Sequence, residues 1–374
     1  MAEINYKMKI KPTLLAKDKV SYASDHIDLP ENGVDCFEGC NPYGFPEVVF
    51  DVVKNFDVNR LGPYPHSTAF FDAIHEYWED VVDVEKENVL YADGSINAIY
   101  SINNIFDAHD SKVLGISPQF ADYYENAQMQ GITYDPVVLK KENNFKLDVQ
   151  DFIDRIDDRY NYVYIDNPNN PTGQAVALED IVKIVEKAAE YGIIVIVDEA
   201  YGEFMDKSNS AVNIFNQYLN LIVIKTMSKG FGLAGMRMGY IISNKDFIRY
   251  MNKMNNPYNI SELGREIAGA ALREGAQIED HKAAFAKMKE EIAKVVGKNL
   301  HIAETLPTCS LILLYADDEN VDMKEELYKR GALVVSGASF QSLDKSSARI
   351  RLPQAKDFHK LLAAIEDLEK SLDK

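Results

Sequence analysis

A lysine flanked by anion-binding side chains follows a short apolar run in the second half of the chain. Residues 221–225 read LIVIK, and Ser228, Lys229, a glycine-rich loop and Arg237 come after them. A lysine amine can form a Schiff base with an aldehyde, while serine and arginine side chains hold phosphate groups. The grouping therefore predicts a site that tethers a phosphate-bearing aldehyde through Lys229.

Three other apolar runs are also followed by polar residues. The runs at 89–92, 162–165 and 193–197 lead into DGSIN, DNPNNPTG and DEAY. Ligands of α/β sheets bind beyond the carboxyl ends of the strands, so we expect these segments to meet at one site. Taken singly, these three segments and the Lys229 segment each have a structural explanation: a helix cap at Ser95, a turn at 166–173, an ion pair at Asp198 and a solvated loop lysine at Lys229.

Strand-like and helix-like periods alternate from residue 89 to residue 243. The strand-like runs are short, rich in Val and Ile, and lack polar alternation, which is typical of parallel strands buried on both faces. The alternation predicts a doubly covered α/β sheet in a large domain at 46–256. A helical stretch at 261–296, followed by mixed strands and helices, predicts a smaller α+β domain at 257–374, joined by an N-terminal arm at 1–45.

The composition excludes several classes of protein. The chain has 374 residues, of which 46% are hydrophobic, as in globular proteins. Its 40 basic and 59 acidic residues give a net charge of −19, so neither nucleic acid nor an anionic membrane is an expected partner. Cys36, Cys40 and Cys309 fit neither a disulfide framework nor a zinc site, and no apolar stretch is long enough for a signal peptide or a membrane span. We expect a soluble cytoplasmic protein that binds no metal.

One glycine pattern has a competing explanation. Gly230, Gly232 and Gly235 match the G-x-G-x-x-G fingerprint of dinucleotide-binding sites. That fingerprint must open a helix, whereas these glycines run into MRMGYII, which has the pattern of another strand. The sequence therefore argues against a dinucleotide site.

Seven segments together resemble the fold type I pyridoxal-phosphate enzymes, in particular the histidinol-phosphate aminotransferase branch. In chain order they are GCNPYG (39–44), ADGSINAI (92–99), SPQFADY (117–123), NPNNPTG (167–173), DEAY (198–201), SKGFGLAGMRMGY (228–240) and PYNIS (257–261). The resemblance extends to the C-terminal helix. It implies a mostly parallel seven-stranded sheet between helices, a smaller α+β domain, and pyridoxal 5'-phosphate as the cofactor.

The resemblance implies a role for each matching residue around the cofactor ring. Lys229 would hold the cofactor covalently and would then move the proton of the substrate carbon. Asp198 would keep the ring nitrogen protonated. Asn170 and Tyr201 would bind the phenolic oxygen of the ring, and Phe120 would stack on the ring face.

The resemblance also implies a phosphate site and a second subunit. The phosphate would be bound by amides, hydroxyls and a guanidinium from Ser95, Ile96, Thr226, Ser228 and Arg237. Tyr64 is similar to a tyrosine that reaches this phosphate from the neighbouring subunit. The resemblance therefore implies a homodimer with shared active sites.

Further residues match the family's substrate site. Arg349 falls where the family has the arginine that binds the substrate carboxylate, and Tyr43 would line the pocket. Arg351 would share the strand face of Arg349, and we expect it to form a surface salt bridge. Val335 stands where family members carry an arginine for a substrate phosphate, and the following SGASF resembles the loop of aminotransferases with unphosphorylated substrates.

These features favour a pyridoxal-phosphate aminotransferase that exchanges an amino group between an L-amino acid, or a related amine, and a 2-oxo acid. A decarboxylase of the phosphothreonine type is an alternative, because the orientation of the substrate decides which bond breaks. A non-catalytic protein that keeps the fold for binding is a second alternative. The complete set of catalytic side chains argues against a non-catalytic role.

Overall fold

A seven-stranded sheet forms the centre of the larger part of the structure. The computed structural model describes residues 11–16, 28–106, 110–275 and 277–373. The strands within these residues are β1 Val34–Asp35, β2 Val89–Ala92, β3 Lys112–Ser117, β4 Thr133–Val138, β5 Tyr162–Asp166, β6 Ile194–Asp198, β7 Leu221–Thr226, β8 Gly239–Ser243, β9 Leu300–Ile302, β10 Leu311–Ala316, β11 Ala332–Leu333, β12 Val335–Ser336 and β13 Ser347–Arg351. The order in the large sheet is β2-β8-β7-β6-β5-β3-β4. Only β8 is antiparallel to its neighbours in that sheet, so the predicted mostly parallel sheet is confirmed.

Helices cover both faces of this sheet. The α-helices of the described residues are α1 Pro12–Ala16, α2 Val48–Asn55, α3 Ala69–Trp78, α4 Ser95–Asn103, α5 Ala121–Gln130, α6 Val149–Asp154, α7 Leu178–Ala189, α8 Lys245–Asn252, α9 Glu262–Glu274, α10 Gln277–Val295, α11 Met323–Lys329 and α12 Phe358–Ser371. Apolar residues of α4, α5 and α8 pack on one face, and those of α2, α3, α6, α7 and α9 pack on the other. No helix within the described ranges is long and apolar enough to cross a lipid bilayer.

The strands at the centre of the sheet are buried on both faces. In β6, Val195 and Val197 belong to the core on the α7 side, whereas Ile196 belongs to the core on the α4 side. Side chains alternate along a strand, so each face receives every second residue. The two residues that follow Val197 therefore point to opposite faces. Asp198 joins the α4 side and Glu199 joins the α7 side.

A second, smaller unit is built on antiparallel strands. Its sheet has the order β12-β13-β10-β9, and β1 pairs in parallel with β11 beside it. Residues of α10, α11 and α12 pack with these strands in a separate core, which also takes in Tyr201 and Phe204 of the large unit. Of the predicted N-terminal arm at 1–45, residues 1–10 and 17–27 lie outside the described residues.

The helical stretch predicted at 261–296 is two helices that belong to different cores. Gly275 has a φ of +38° and separates α9 from α10. Ile267 and Leu272 of α9 lie in the core of the large unit, whereas Phe285 of α10 lies in the core of the small one. The change of core therefore occurs near residue 275, while the predicted domain boundary stood at 257.

The glycine pattern at 230–235 does not open an α-helix. It leads into a single 3-10 turn, Ala234–Met236, and then into β8. Gly232 has a φ of +66°, and a methyl group on it would lie 2.0 Å from the carbonyl oxygen of Gly44. The glycine there permits a close approach of two backbone segments, and the argument against a dinucleotide site agrees with this geometry.

A buried ionic cluster lies on the α7 side of the sheet. The Lys225 ammonium is 3.2 Å from Glu199 Oε2 and 2.9 Å from Glu203 Oε1. Ser210 and the amide of Ala211 donate hydrogen bonds to Glu199. Burial lowers the pKa of Lys225, but Glu203 and Glu199 raise it by more, so the lysine stays charged. Burial raises the pKa of Glu203, and Lys225 opposes that rise.

Lys225→Met is expected to destabilise the protein by ~3–5 kcal/mol near neutral pH, because it leaves two buried carboxylates without their cation. The loss should be smaller at pH 5, because burial raises the pKa of Glu203 and this carboxylate takes up a proton in the variant, and the double variant Lys225→Met/Glu203→Gln should recover part of it. Urea unfolding at both pH values measures the effect. A loss that is the same at both pH values, with no recovery in the double variant, would count against the cluster as the cause.

Candidate active site

The polar residues predicted from three strand ends lie together at one edge of the large sheet. Strands β5, β6 and β7 are adjacent and parallel, and Asp166 of β5 is the register partner of Asp198 of β6. Lys229 follows the end of β7 by three residues. Its ammonium nitrogen lies 5.8 Å from the centre of the Tyr201 ring. The structure therefore brings Lys229, Tyr201 and Asp198 to the same sheet edge, as expected from the chain order of these segments.

Asp198 is a buried carboxylate with two hydrogen-bond donors. It is 2% exposed; Tyr164 Oη donates to it at 2.6 Å and the amide of Ala200 at 3.0 Å. Burial raises the pKa of Asp198 to about 7; the hydrogen bond from Tyr164 opposes the rise and Asp166 adds to it. A cation placed against this carboxylate would restore its charge, because an opposite charge lowers the pKa of an acid.

The asparagine-rich loop after β5 is held by a second buried carboxylate. Asp166 accepts hydrogen bonds from Gln119 Nε2 and Asn169 Nδ2, both at 3.0 Å, and from the amide of Asn170 at 2.9 Å. The side-chain oxygen of Asn170 accepts a bond from Arg349 Nη1 at 3.4 Å. The loop therefore links the edge of the large sheet to the small unit. Neither Asp166 nor Gln119 was among the predicted site residues.

An anion cradle lies beside β8, where the residues predicted to bind phosphate meet. Arg237 approaches the glycine that precedes α4 so closely that a methyl group on Gly94 would be 2.5 Å from Arg237 Nη2. Ser95 and Ile96 open α4, so their amides lack partners within the helix. A helix start with a guanidinium beside it attracts anions.

Two hydroxyls extend this cradle from the β7 side. Thr226 Oγ1 and Ser228 Oγ are 3.0 Å apart, and the Ser228 amide donates to Thr226 Oγ1 at 3.2 Å. Thr226 Oγ1 donates to the carbonyl of Met238 at 3.1 Å. The next residue, Gly239, lies close to the amide of Ser95. The predicted set thus combines amides, hydroxyls and one arginine, and the donor chemistry suits a phosphate.

Tyr164, a hydrogen-bond partner of Asp198, belongs to an aromatic group that packs with residues of α5. Phe120 precedes α5 and is partly buried against the core that holds Tyr123 and Tyr164. The rings of Tyr123 and Tyr164 stack with centroids 3.5 Å apart. Tyr164 is thereby fixed to donate its hydroxyl to Asp198. Tyr164 was not among the predicted site residues, because a tyrosine within an apolar strand gives no signal of its polar partner.

Arg349 and Arg351 project from one face of β13, and both are buried. Arg349 is 1% exposed and donates to Asn170 and to the carbonyl of Phe37. Arg351 is 8% exposed and donates to the carbonyls of Glu38 at 2.9 Å and Asp35 at 2.6 Å. The predicted salt bridge of Arg351 is present, to Asp35, but the guanidinium is buried rather than at the surface. Its main partners are backbone carbonyls, and the Asp35 carboxylate lies 3.7 Å away.

The segment after these carbonyls passes directly over Tyr201 and Lys229. A methyl group on Gly39 would lie 2.0 Å from Tyr201 Oη and 3.7 Å from Lys229 Nζ. Asn41 then binds the loop of Lys229: its amide donates to the Lys229 carbonyl at 3.1 Å, and its side chain donates to the Gly230 carbonyl at 2.9 Å. Gly39 was missed as a site residue, because spacing alone does not show a close approach between distant segments.

Two predicted residues lie in other surroundings. The ring of Tyr43 stacks on His281 of α10 at 3.8 Å, and its hydroxyl accepts a hydrogen bond from the Ala355 amide at 3.1 Å. Tyr43 thus bridges the segment after Gly39 and the small unit. Tyr64 is 69% exposed, and its ring stacks on Tyr258 at 4.6 Å rather than on a residue of the strand ends.

Known proteins share both the sequence pattern and the fold of this chain. The family described as aminotransferase class I and II matches residues 45–365. A histidinol-phosphate aminotransferase of Thermoanaerobacter pseudethanolicus is 33% identical over 309 residues, covering 81% of this chain and 84% of the relative. A putative threonine-phosphate decarboxylase of Caldanaerobacter subterraneus subsp. tengcongensis is 28% identical and covers 88% of each chain. The solved histidinol-phosphate aminotransferase of Clostridium acetobutylicum has a TM-score of 0.78 at 26% identity, covering 90% of this chain and 99% of that one.

Asp198→Asn is expected to stabilise the cofactor-free protein by ~2–4 kcal/mol at pH 8, and by less at pH 5. Folding raises the pKa of Asp198 from 3.8 to about 7, so the stability that comes from its protonation is full below 3.8 and is lost as the pH rises through 7. The side-chain amide of the variant does not ionise, so the variant does not lose this stability as the pH rises. Urea unfolding of the cofactor-free protein at both pH values measures the difference.

The exposed carboxylate of Asp158 provides the control, since Asp158→Asn should leave stability unchanged within ~0.5 kcal/mol at both pH values. An Asp198→Asn protein that is less stable than the wild type at pH 8 would show that the carboxylate is not strained by its burial.

Proposed function

We propose that this chain, which belongs to the aminotransferase class I and II family and is a pyridoxal-phosphate-dependent aminotransferase, acts on unphosphorylated L-amino acids with a 2-oxo acid as acceptor. The observation that carries the substrate class is the pairing of a buried arginine with a buried valine across two strands. Arg349 of β13 is the register partner of Val335 of β12, and both side chains are about 1% exposed. Residues directly opposite each other in a sheet have side chains in contact.

The donor set at the strand ends fits pyridoxal phosphate. Asp198 would face the ring nitrogen, where a positive charge offsets the cost of burying the carboxylate. Lys229, close to Tyr201, would attach the aldehyde carbon through its amine. When bound, the cofactor supplies an electron-poor ring that stabilises negative charge on the substrate carbon.

The phosphate of the cofactor fits the anion cradle. We assign its binding to the amides of Ser95 and Ile96, the hydroxyls of Thr226 and Ser228, and the guanidinium of Arg237. The close approach of Arg237 to Gly94 supports this assignment, since a side chain at residue 94 would displace the guanidinium. A phosphate bound there would hold the ring at a fixed distance from Lys229.

The remaining residues would orient the ring and move the proton. Asn170 is held at its amide by Asp166, so its side chain can reach the phenolic oxygen together with the hydroxyl of Tyr201. Phe120 would cover one face of the ring. The amine of Lys229, when it is not attached to the cofactor, would take up the proton of the substrate carbon and hold it for return.

Arg349 would bind the substrate carboxylate through a bidentate contact. Its guanidinium already bridges Asn170 and the carbonyl of Phe37, so its plane is fixed before substrate arrives. A substrate phosphate beside Val335 would meet an apolar side chain where a cation is needed. Tyr43 would affect the substrate pocket only indirectly, because its ring stacks on His281 and its hydroxyl accepts a hydrogen bond from the Ala355 amide.

Histidinol phosphate is a second candidate substrate. The relative from Thermoanaerobacter pseudethanolicus, named for that activity, is 33% identical to this chain. Histidinol phosphate carries no carboxylate, so Arg349 would have to bind its phosphate instead. The two substrate classes therefore compete for the same guanidinium, and a direct comparison of amino donors separates them.

The cofactor-loaded protein is expected to convert L-amino acids to 2-oxo acids with kcat/KM at least ~10-fold above that for histidinol phosphate, because Arg349 matches a carboxylate and the buried Val335 opposite it offers no second cation for a phosphate. The measurement is product formation from a panel of donors with a 2-oxo acid acceptor, with carbon dioxide recorded in parallel. Arg349→Lys should lower kcat/KM for the amino acids by ~10–100-fold. Lys229→Ala should lose the visible absorbance of bound cofactor, whereas Lys253→Ala should keep it.

Conversion of histidinol phosphate alone would replace the proposed substrate class by the second candidate. Release of carbon dioxide in step with donor consumption would indicate a decarboxylase. A protein that binds no cofactor at all would support the non-catalytic alternative.

We further propose that two copies form a homodimer with shared active sites. Large apolar side chains between residues 50 and 64 are exposed: Phe50 65%, Val53 53%, Val58 71%, Leu61 55% and Tyr64 69%. Such a run of exposed apolar residues is typical of a surface covered by a partner. The same stretch of chain includes Tyr64, which would reach the cofactor phosphate of the other subunit. The free cysteines support a reducing compartment, and we place the dimer in the cytoplasm.

Val58→Asp/Leu61→Asp is expected to give a monomer, because two charges would be buried in the interface. Light scattering after size-exclusion chromatography measures the mass. Leu219→Asp is the control: Leu219 is 84% exposed and lies outside the run at 50–64, so its variant should stay dimeric. Tyr64→Phe should remain dimeric but bind the cofactor more weakly. A wild-type chain that elutes as a monomer would contradict the shared site.

A further inference from the structure

Residues 35–41 run as a single strap from the small unit to the loop of Lys229. At its start, the Cys36 amide donates to the Leu333 carbonyl at 2.9 Å, next to the pair β1 and β11. At its end, Asn41 is bound to the carbonyls of Lys229 and Gly230. Between these anchors lies Gly39, which leaves no room for a methyl group beside Tyr201. We call residues 35–41 the strap.

Arg351 donates hydrogen bonds to three of the strap's backbone carbonyls. Its guanidinium donates to the carbonyls of Asp35 and Glu38, and its amide donates to the carbonyl of Cys36 at 3.0 Å. The remaining carbonyl in this stretch, that of Phe37, is bound by Arg349. Two arginines on one strand face thus hold four successive carbonyls, and Arg351 accounts for three of them.

Burying the guanidinium of Arg351 costs hydration free energy, which its hydrogen bonds to the strap must offset. The guanidinium is 8% exposed, and its closest partners are neutral carbonyls rather than a carboxylate. Buried charges are normally paired, because neutral acceptors recover only part of the lost hydration. The Asp35 carboxylate, 3.7 Å away, is half exposed and so helps only weakly. The buried guanidinium of Arg351 therefore serves to hold the strap through its hydrogen bonds to the backbone carbonyls.

The strap needs an accurate position because both of its neighbours belong to the site. Gly39 lies against Tyr201 and near Lys229, so an inward shift would push Tyr201 from its place. The carbonyl of Phe37 is a partner of Arg349, so an outward shift would release that guanidinium from its fixed plane. A displacement in either direction changes the pocket between Lys229 and Arg349.

We propose that Arg351 is a positioning residue that fixes the strap, so that Gly39 closes the site over Lys229 and the Phe37 carbonyl holds Arg349 ready for the substrate carboxylate. The inference rests on the proposed role of Arg349, but the position of the strap can be measured without substrate. Arg351 touches neither the cofactor site nor the substrate in this arrangement. It acts through the backbone of residues 35–38.

Hydrogen exchange of the cofactor-free chain tests the strap directly. In Arg351→Met, the amides of residues 36–41 should exchange at least ~10-fold faster than in the wild type, because the carbonyls at 35 and 38 lose their donor. Arg351→Lys should lie between the two, since an ammonium can replace one of the two side-chain bonds. Arg330→Met is the matched control. Arg330 is a partly buried arginine of the small unit that binds Glu326, Asp367 and Ser371, and its removal should leave the exchange of 36–41 unchanged.

Kinetics of the cofactor-loaded protein supply the second readout. Arg351→Met should raise KM for the amino acid by ~10-fold or more while kcat falls less than ~3-fold, because the orientation of Arg349 is impaired and the groups around Lys229 are kept. The visible absorbance of bound cofactor should be retained. Arg351→Lys should recover part of the KM effect.

Unchanged exchange at 36–41 in Arg351→Met would overturn the proposal, whatever the kinetics. So would a KM that rises equally in Arg330→Met, since the effect would then follow from general destabilisation. If no amino acid is accepted by the wild type, the proposed substrate class fails. The exchange experiment still decides whether Arg351 holds the strap.

Discussion

The structure depends on one buried carboxylate that accepts its hydrogen bonds from neutral donors. Asp198 is 2% exposed and its pKa is raised to about 7 by burial. Its two protein donors, Tyr164 and the Ala200 amide, are neutral. A cationic group of a ligand would stabilise the ionised form of a carboxylate buried in this way. The carboxylate would in turn raise the pKa of that group and so favour its protonated form. In the proposed arrangement, the anion cradle and Lys229 would hold the other ends of the same ligand.

Strand β6 separates the Asp198 site from a second charged site, the buried cluster around Lys225 on the other face of the sheet. Asp198 and Glu199 are consecutive, so they point to opposite faces of β6. Glu199 meets Lys225 and Glu203 on the α7 side, where the cation is built into the protein. On the α4 side, we propose that the ligand supplies the cation. The internal ion cluster can hold the strand end rigid while the carboxylate on the other face stays available for chemistry.

Elements with a strong local signal were predictable, and contacts between distant segments were not. The apolar runs of β5, β6 and β7 and the polar residues after them could be read from the chain, because parallel strands buried on both faces lack polar alternation. The division of 261–296 into two helices depends on Gly275, and the membership of α9 in the large core depends on its packing against α2 and α3. The burial of Arg351 depends on a strap more than 300 residues earlier in the chain.

By itself the sequence determined the chemistry available to this protein: a lysine, a carboxylate and anion-binding groups after strand ends, and an arginine that we propose binds a substrate carboxylate. Those features are local, since each depends on residue type and on the position of a strand end. Only the tertiary structure decided which backbone lies over Lys229, which tyrosine holds Asp198 and what Arg351 binds. These contacts join residues far apart in the chain, and their geometry comes from how the two cores pack together, which no local pattern encodes.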